Sequence, residues 1–409
     1  MRRWLLLSAT LVVVLLVAAI TSSLIGAEIR FWTNPSDNAP VTAEHSATAA
    51  TWTVRESPTT IDLEGVDVFP GESIQAVVDA NPAGTTFYLR AGVHSGQTVK
   101  PRDGDKFIGE SGTILSGEDR VEFAFRSGAS NVTIQNLTIE KYANKAQSGV
   151  VAGGGKAWRI VNNEIRYNWG GGVTLNDRYQ LIGNNIHHNR QIGIKGSGTD
   201  VLIDGNEIAF NNYRGDYDPE WEAGGTKFLK TVNLVVRGNY VHDNRGPGLW
   251  TDYDNYNTLY ENNVVEDNDG NGIFHEVSYD AIIRNNKVRR NNKSQIRITS
   301  SANMEIYGNV VVATGGSSGI YGADSSRGSG SRGVFKIENL WVHNNTIVMD
   351  SGFTGLRDNK GSGAVWSNNN RFDRNTYTTN AAKPFFWMNK SRTPQEWTSY
   401  GQDTNSTIN

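Results

Sequence analysis

IVNNEI (160–165), LIGNNI (181–186), LIDGNEI (202–208), VVRGNYV (235–241), LYENNVV (259–265), IIRNNKV (282–288), EIYGNVV (305–311) and WVHNNTI (341–347) repeat one pattern, an asparagine two residues before an apolar residue. The asparagines are Asn163, Asn184, Asn206, Asn239, Asn263, Asn286, Asn309 and Asn345, spaced by 21, 22, 33, 24, 23, 23 and 36 residues. A second row, Asn168, Asn189, Asn211, Asn244, Asn268 and Asn291, keeps the steps 21, 22, 33, 24 and 23. Self-similarity at such a period marks a repeat architecture. Short β-branched runs such as Leu234 to Val236 are separated by Asn and Gly, and no helix-length periodic stretch lies between them. The repeat unit is therefore strands and turns. Strands this short bury a core only by stacking coil on coil at about 4.8 Å. The expected fold is all-β, a parallel β-helix solenoid, right-handed by the usual crossover rule. Asn tolerates left-handed backbone angles and bonds adjacent amides, so both rows are expected to stack as structural ladders.

An open solenoid end exposes core and strand edges and must be covered. Ser73 to Ala80 carries Ile74, Val77 and Val78 at helical spacing and fits an N-terminal cap helix. Upstream, Arg2 and Arg3 precede an apolar run from Trp4 to about Ala27. That length suits either a cleaved signal peptide or a signal-anchor, so the expectation for 1–27 is export, with the remainder secreted or membrane-anchored and facing outward. Residues 28–66 hold no apolar period and read as a linker or stalk, 67–377 as the β-helix and 378–409 as a C-terminal cap.

VFPGESIQAVVDANPAGTTFYLRAGVH (68–94) and the run of NN-x-I coils resemble the capped start and the repeat of the right-handed parallel β-helix, or pectate-lyase-like, superfamily. FFWMNKSRTPQEWTSYGQDTNST (385–407) is similar to a closing segment found on secreted β-helix proteins. The resemblance implies the fold. It leaves open lyase, glycoside hydrolase, epimerase and adhesin, since the fold hosts all four and the WIDH and RxPxxR motifs of pectate lyases are absent.

Composition narrows the partners. The 409 residues include 39 Lys+Arg against 42 Asp+Glu, a net charge of −3, which argues against a nucleic-acid binder. There is no cysteine, which excludes disulfides, thiolate zinc sites and Cys nucleophiles.

Anchoring each coil on a recurrent Gly followed by an apolar residue aligns the strands. The second position (Val150, Val173, Ile194, Thr226, Leu249, Ile273, Ile296, Ile320, Leu356) points inward. By period-two alternation the third and fifth point outward. The third column reads Val151, Thr174, Lys195, Lys227, Trp250, Phe274, Arg297, Tyr321 and Arg357, and the fifth includes Asp252 and Glu276. Insertions border this face: 213–224, with Asp216, Asp218, Glu220, Trp221 and Glu222, and 324–333. Insertions on repeat proteins wall binding faces. His275 should point inward, and His242, His187 and His188 read as ladder packing.

Cations, aromatic rings and paired carboxylates on one face suit an anionic polysaccharide. The leading expectation is β-elimination or epimerisation of a uronate polymer. Lys227 would be the base, Arg297 the carboxylate clamp, and Asp252 and Glu276, with Glu222, holders of Ca²⁺ or sugar hydroxyls. Lys195, Trp221, Trp250, Phe274 and Tyr321 would bind sugar, Tyr321 doubling as an acid. A glycoside hydrolase using Asp252 and Glu276, and a non-catalytic glycan-binding solenoid, remain alternatives.

Overall fold

The computed structural model describes residues 65–409. The export segment and the stalk up to residue 64 lie outside the described residues. So does the whole of the apolar run, although no helix among the described residues is long and apolar enough to cross a membrane.

The chain winds as a parallel β-helix. One sheet of 23 strands runs as two ladders joined by the long strand Gly224–Arg237, and a second sheet holds 13 strands. Each coil therefore contributes three strands, as in Ile273–Glu276, Tyr279–Arg284 and Lys287–Arg289, and each strand pairs in parallel with its counterpart one coil on. The core is one continuous cluster of aliphatic and aromatic side chains along the axis, from Val68 to Trp397.

Both asparagine rows are ladders. Asn239 Oδ1 accepts from the backbone N–H and Nδ2 of Asn206, while Asn239 Nδ2 donates to Ile203 O and Asn263 Oδ1. The second row repeats this through Asn189, Asn211, Asn244, Asn268 and Asn291, where Gln295 takes over as acceptor. The left-handed residue is not the ladder asparagine but the one before it: Asn162, Gly183, Gly205 and Gly238 in the first row, Tyr167, His188 and Phe210 in the second. The ladder also explains the recurrent strand glycine. A Cβ on Gly248 would sit 3.0 Å from Asn268 Nδ2 and 2.9 Å from Gly272 O, and one on Gly193 2.9 Å from Asn211 Nδ2.

Both ends are covered as expected. The helix Ile74–Ala80 starts at Ser73, whose side chain accepts from Ala76 N, and buries Ile74 and Val78. At the far end the helix Pro394–Ser399 opens with a Thr393/Glu396 capping box. It stacks Trp397 on Phe385, and the buried carboxylate of Asp403 accepts from Trp397 Nε1 and Tyr377 OH.

Candidate functional site

Strand pairing sets the outward row. Thr174 pairs with Lys195, Lys195 with Lys227, Trp250 with Phe274, Phe274 with Arg297 and Arg297 with Tyr321. Phe228, next to Lys227, pairs with Thr251, next to Trp250, which closes the row. Glu276 follows His275, the partner of Thr251, so Asp252 and Glu276 stand on adjacent coils two positions further along their strands.

The ends of the row need correction. Val151 pairs with Val173 and is buried in the inward column, because among Gly170, Gly171 and Gly172 it is Gly171 that matches Gly149. Arg357 pairs with Ala323, two positions along, because Gly355 matches Tyr321 and not Gly319.

Both insertions wall the face. In the first, Trp221 is 68% exposed and lies 5.0 Å from Lys227 Nζ, its carbonyl accepting from that ammonium. Glu222 bonds Gln147 and Glu220 pairs with Lys293. The second forms a small hairpin, Ser329–Gly330 with Gly333–Val334, anchored by Phe335 against Tyr279 and by Ser331 and Arg332 on Asp254 and Asp280. From it Arg327 reaches Glu276 Oε1 at 2.5 Å. A cleft at the strand starts is lined by Pro219, Glu220, Pro247, Trp250, Asp269, Phe274 and Lys293.

Several expected roles change. Lys227 has a carboxylate beside it as well as a cation: its Nζ is 3.0 Å from Asp252 Oδ2 and 3.9 Å from the Trp250 ring centre. That ion pair commits the ammonium to Asp252. The conditions sought for Lys227 are met at Lys195, whose pKa is lowered by burial and then by the charge of Lys227. Lys195 bonds Gln147 Oε1 at 2.6 Å. Trp250 is 2% exposed and Tyr321 is buried, so neither presents a free stacking face; Trp221 does, and Phe274 is half-buried.

The carboxylates do not fit the expected metal site. Asp252 is taken by Lys227, Glu222 by Gln147, and Glu276 by Arg327 and by Trp250 Nε1 at 3.2 Å. Among the described residues no three His, Asp or Glu side chains gather as Ca²⁺ would require. Glu276 instead has its pKa raised, by burial first and then by Asp252, against the lowering effect of Arg327.

Arg297 differs from its neighbours. It is half-buried, stacks 4.1 Å over the Tyr321 ring and bonds Thr299 Oγ1 at 3.3 Å. Neither it, Lys195 nor Arg357 forms a salt bridge among the described residues, whereas Lys227, Lys293 and Arg327 all do. Burial lowers its pKa against the opposing effects of Tyr321 and of the Glu276 charge, so the structure holds a partly desolvated cation without a direct salt bridge among the described residues. Sequence reasoning missed Gln147, Asp269, Lys293 and Arg327. The first three sit in turns flanking the strands, outside the aligned columns; Arg327 lay within the second insertion, whose charge was the available signal.

His275 is fully buried, its Nδ1 2.7 Å from Thr251 Oγ1, and burial drops its pKa to about 3. His242 is bridged to Glu207 and Asp243 on the turn.

Residues 148–311 match the family model described as right handed beta helix region. No curated relative matches the sequence. Among solved structures, the A-module of the Azotobacter vinelandii mannuronan C-5 epimerase AlgE4 is similar at 16% identity and TM-score 0.60, over 82% of this chain and 94% of that one. XylC in complex with xylose gives 12% and 0.60, over 82% of each. A DFA-IIIase from Arthrobacter chlorophenolicus A6 without its lid, in complex with GF2, gives 12% and 0.52, over 85% and 98%. At these identities the likeness is one of fold, and the fold is the right-handed parallel β-helix.

Proposed function

We propose that this β-helix acts on a polysaccharide containing uronate residues, outside the cytoplasm, by chemistry at the uronate C5 position. The observation that carries the reading is Arg297, a half-buried guanidinium without a salt-bridge partner among the described residues, in the middle of a walled row of outward side chains. A sugar carboxylate is the natural counter-charge for a planar donor fork. Pairing there also stabilises the charge that builds on the carboxylate as the C5 proton leaves. Glu276 and Tyr321 are titratable groups on the coils to either side of Arg297. Glu276, its proton affinity raised by burial, takes the C5 proton on Oε1 once Arg327 moves from that oxygen to the substrate, and Tyr321, beneath Arg297, is the donor. In elimination the C5–H electron pair forms the C4–C5 double bond and the C4–O bond breaks, the leaving oxygen taking a proton. In epimerisation a proton returns to the opposite face of C5. The fold similarity to a mannuronan C-5 epimerase module supports this class without identifying the polymer. Lys227 and Asp252 hold the floor between subsites, and no step runs through Ca²⁺.

One observation favours a hydrolase as the second reading. Asp252 is fixed by an ammonium while neighbouring Glu276 has a raised pKa, the division of labour that paired glycosidase carboxylates use. Incubating the protein with uronate polysaccharides in D₂O separates the cases. Near-ultraviolet absorbance rising with new reducing ends means elimination, and deuterium at C5 without chain cleavage means epimerisation. Reducing ends without absorbance means hydrolysis, and none of these on any uronate polymer overturns the proposal.

A further inference from the structure

The turn row just before each second-ladder asparagine reads Tyr167, His188, Phe210, Asp243, Asp267 and Arg290, all with φ between 51° and 56°. Left-handed backbone favours Gly, Asn or Asp and is strained for bulky side chains. Three successive coils nevertheless place aromatic rings there, while the next three show that the turn closes without them. The rings are not there to be buried: Tyr167 is 41% exposed, Phe210 40%, and Trp169, two residues past Tyr167, 43%. His188 stacks on Phe210 at 4.9 Å and tilts against Tyr167 at 5.1 Å, and Tyr213 packs edge-on to Tyr167 at 6.3 Å. Strain accepted at exposed positions points to function.

We infer that this aromatic row is a second saccharide platform, outside the walled face, on which a polysaccharide chain lies along the solenoid axis. The rings advance one per coil, about 4.8 Å, close to the rise of one sugar in an extended chain, and, stacked on one another, they present exposed apolar edges along the axis beside the exposed Trp169 ring, against which sugar C–H groups can pack. A polar rim accompanies them: Arg190 lies 5.9 Å from the Trp169 ring, and Trp169 Nε1 donates to Asp119 at 2.8 Å. Such a rim suits hydroxyl-rich ligand more than a dry protein contact. The row is also continuous with the walled face, since Arg190 pairs with Asp216 in the insertion that begins at Tyr213. The platform tethers the polymer beside the groove and does not depend on which reaction the groove performs.

The test uses the full chain in affinity electrophoresis through gels containing mannuronan, xylan or inulin. The Tyr167→Asn and Phe210→Asn double variant replaces strained residues by one that the left-handed turn favours, so its melting temperature should stay level or rise. Arg297→Ala disables the proposed carboxylate subsite separately. Retardation by at least one polymer is expected to survive Arg297→Ala and to weaken tenfold or more in the double variant, whose turnover of short oligosaccharides stays at the wild-type level. Unchanged retardation in the double variant overturns the platform while leaving the reaction proposal intact. Absence of retardation of the wild-type protein by all three polymers overturns it too. So does a wild-type dimer that the double variant splits, which would make the row a contact between two copies of this chain.

Discussion

Lys227 and Asp252 form an ion pair at 3.0 Å on adjacent coils, with the ammonium resting on Trp250. Both side chains are mostly buried, so removing one partner strands a charge in a poorly solvated place. Lys227→Met is therefore expected to cost about 3–5 kcal/mol, the range for breaking a buried pair, while Lys227→Met with Asp252→Leu recovers most of it. Chemical denaturation midpoints of the single and double variants check this. Equal loss in both would mean that the pair contributes nothing beyond the contacts of the lysine stem.

Arg297 should behave in the opposite way. It has no salt bridge to lose among the described residues, so Arg297→Ala is expected to leave the melting temperature within a few degrees of wild type. Its effect should fall on kcat/KM for uronate polymers, about a hundredfold, equivalent to roughly 2.7 kcal/mol of transition-state stabilisation. Arg297→Lys keeps the charge but not the fork and should recover only part. Binding of a carboxyl-reduced polymer, which cannot react at C5, gives the control, since a ligand without carboxylates should not distinguish the variants.

The fold was legible because stacking imposes one rule on every coil. The asparagine amide must meet the next asparagine, and Gly248 or Gly193 must make room for it, so the period surfaces in the sequence as literal repetition. The outward row from Thr174 to Tyr321 followed from that period with alternation. It slipped at Val151, where three consecutive glycines offered rival anchors, and at Arg357, where the chain re-enters the sheet two residues later. What the sequence did not carry was the pairing of charges across the walls. Lys227 with Asp252 is a neighbour relation within the columns, but Arg327 with Glu276 and Lys293 with Glu220 depend on how insertions fold back. Loop conformation has no period to read.

Chelation should change little. The carboxylates expected to hold Ca²⁺ are each bonded to a protein donor, and Glu276 has both oxygens engaged. Activity and melting temperature with EDTA are expected to match those with added Ca²⁺. A chelator-dependent loss restored by Ca²⁺ would show that Arg327 or Lys227 swings away to admit the ion.

His275 gives the protein an acid sensitivity with a known sign. Its pKa falls from 6.5 to about 3 on burial, so the folded state refuses a proton that the unfolded chain accepts. The stability linked to this group is whole above pH 6.5 and is lost as pH falls toward 3, at up to about 1.4 kcal/mol per pH unit. Glu164, whose carboxylate is held down to about 2 by His187 and Arg166 against the upward pull of burial, adds a loss that begins only below pH 4.5. His275→Gln should flatten the stability profile between pH 6 and 4.5 and leave the steeper fall below it. An unchanged slope in that window would place the proton uptake on another group.

The ladder itself can be tested at Asn263, in the middle of the first row. Its Oδ1 accepts from the backbone N–H and Nδ2 of Asn239, and its Nδ2 donates to Val236 O and Asn286 Oδ1, all at 2.9–3.0 Å and all buried. Asn263→Ala leaves donors on one side and acceptors on the other without partners, and each buried group so stranded costs about 1–3 kcal/mol. A loss of about 3 kcal/mol or more is expected. Asn263→Asp keeps the acceptor side and loses the donors, at the cost of a buried charge whose pKa must rise. A folded pKa above the unfolded one means that stability is recovered as pH falls, so this variant should lie further below wild type at pH 7 than at pH 4. The two variants thus separate the ladder's hydrogen bonds from its packing. If Asn263→Asp tracked wild type at every pH, the row would be admitting water, and the interior contacts would not be what holds the coils in register.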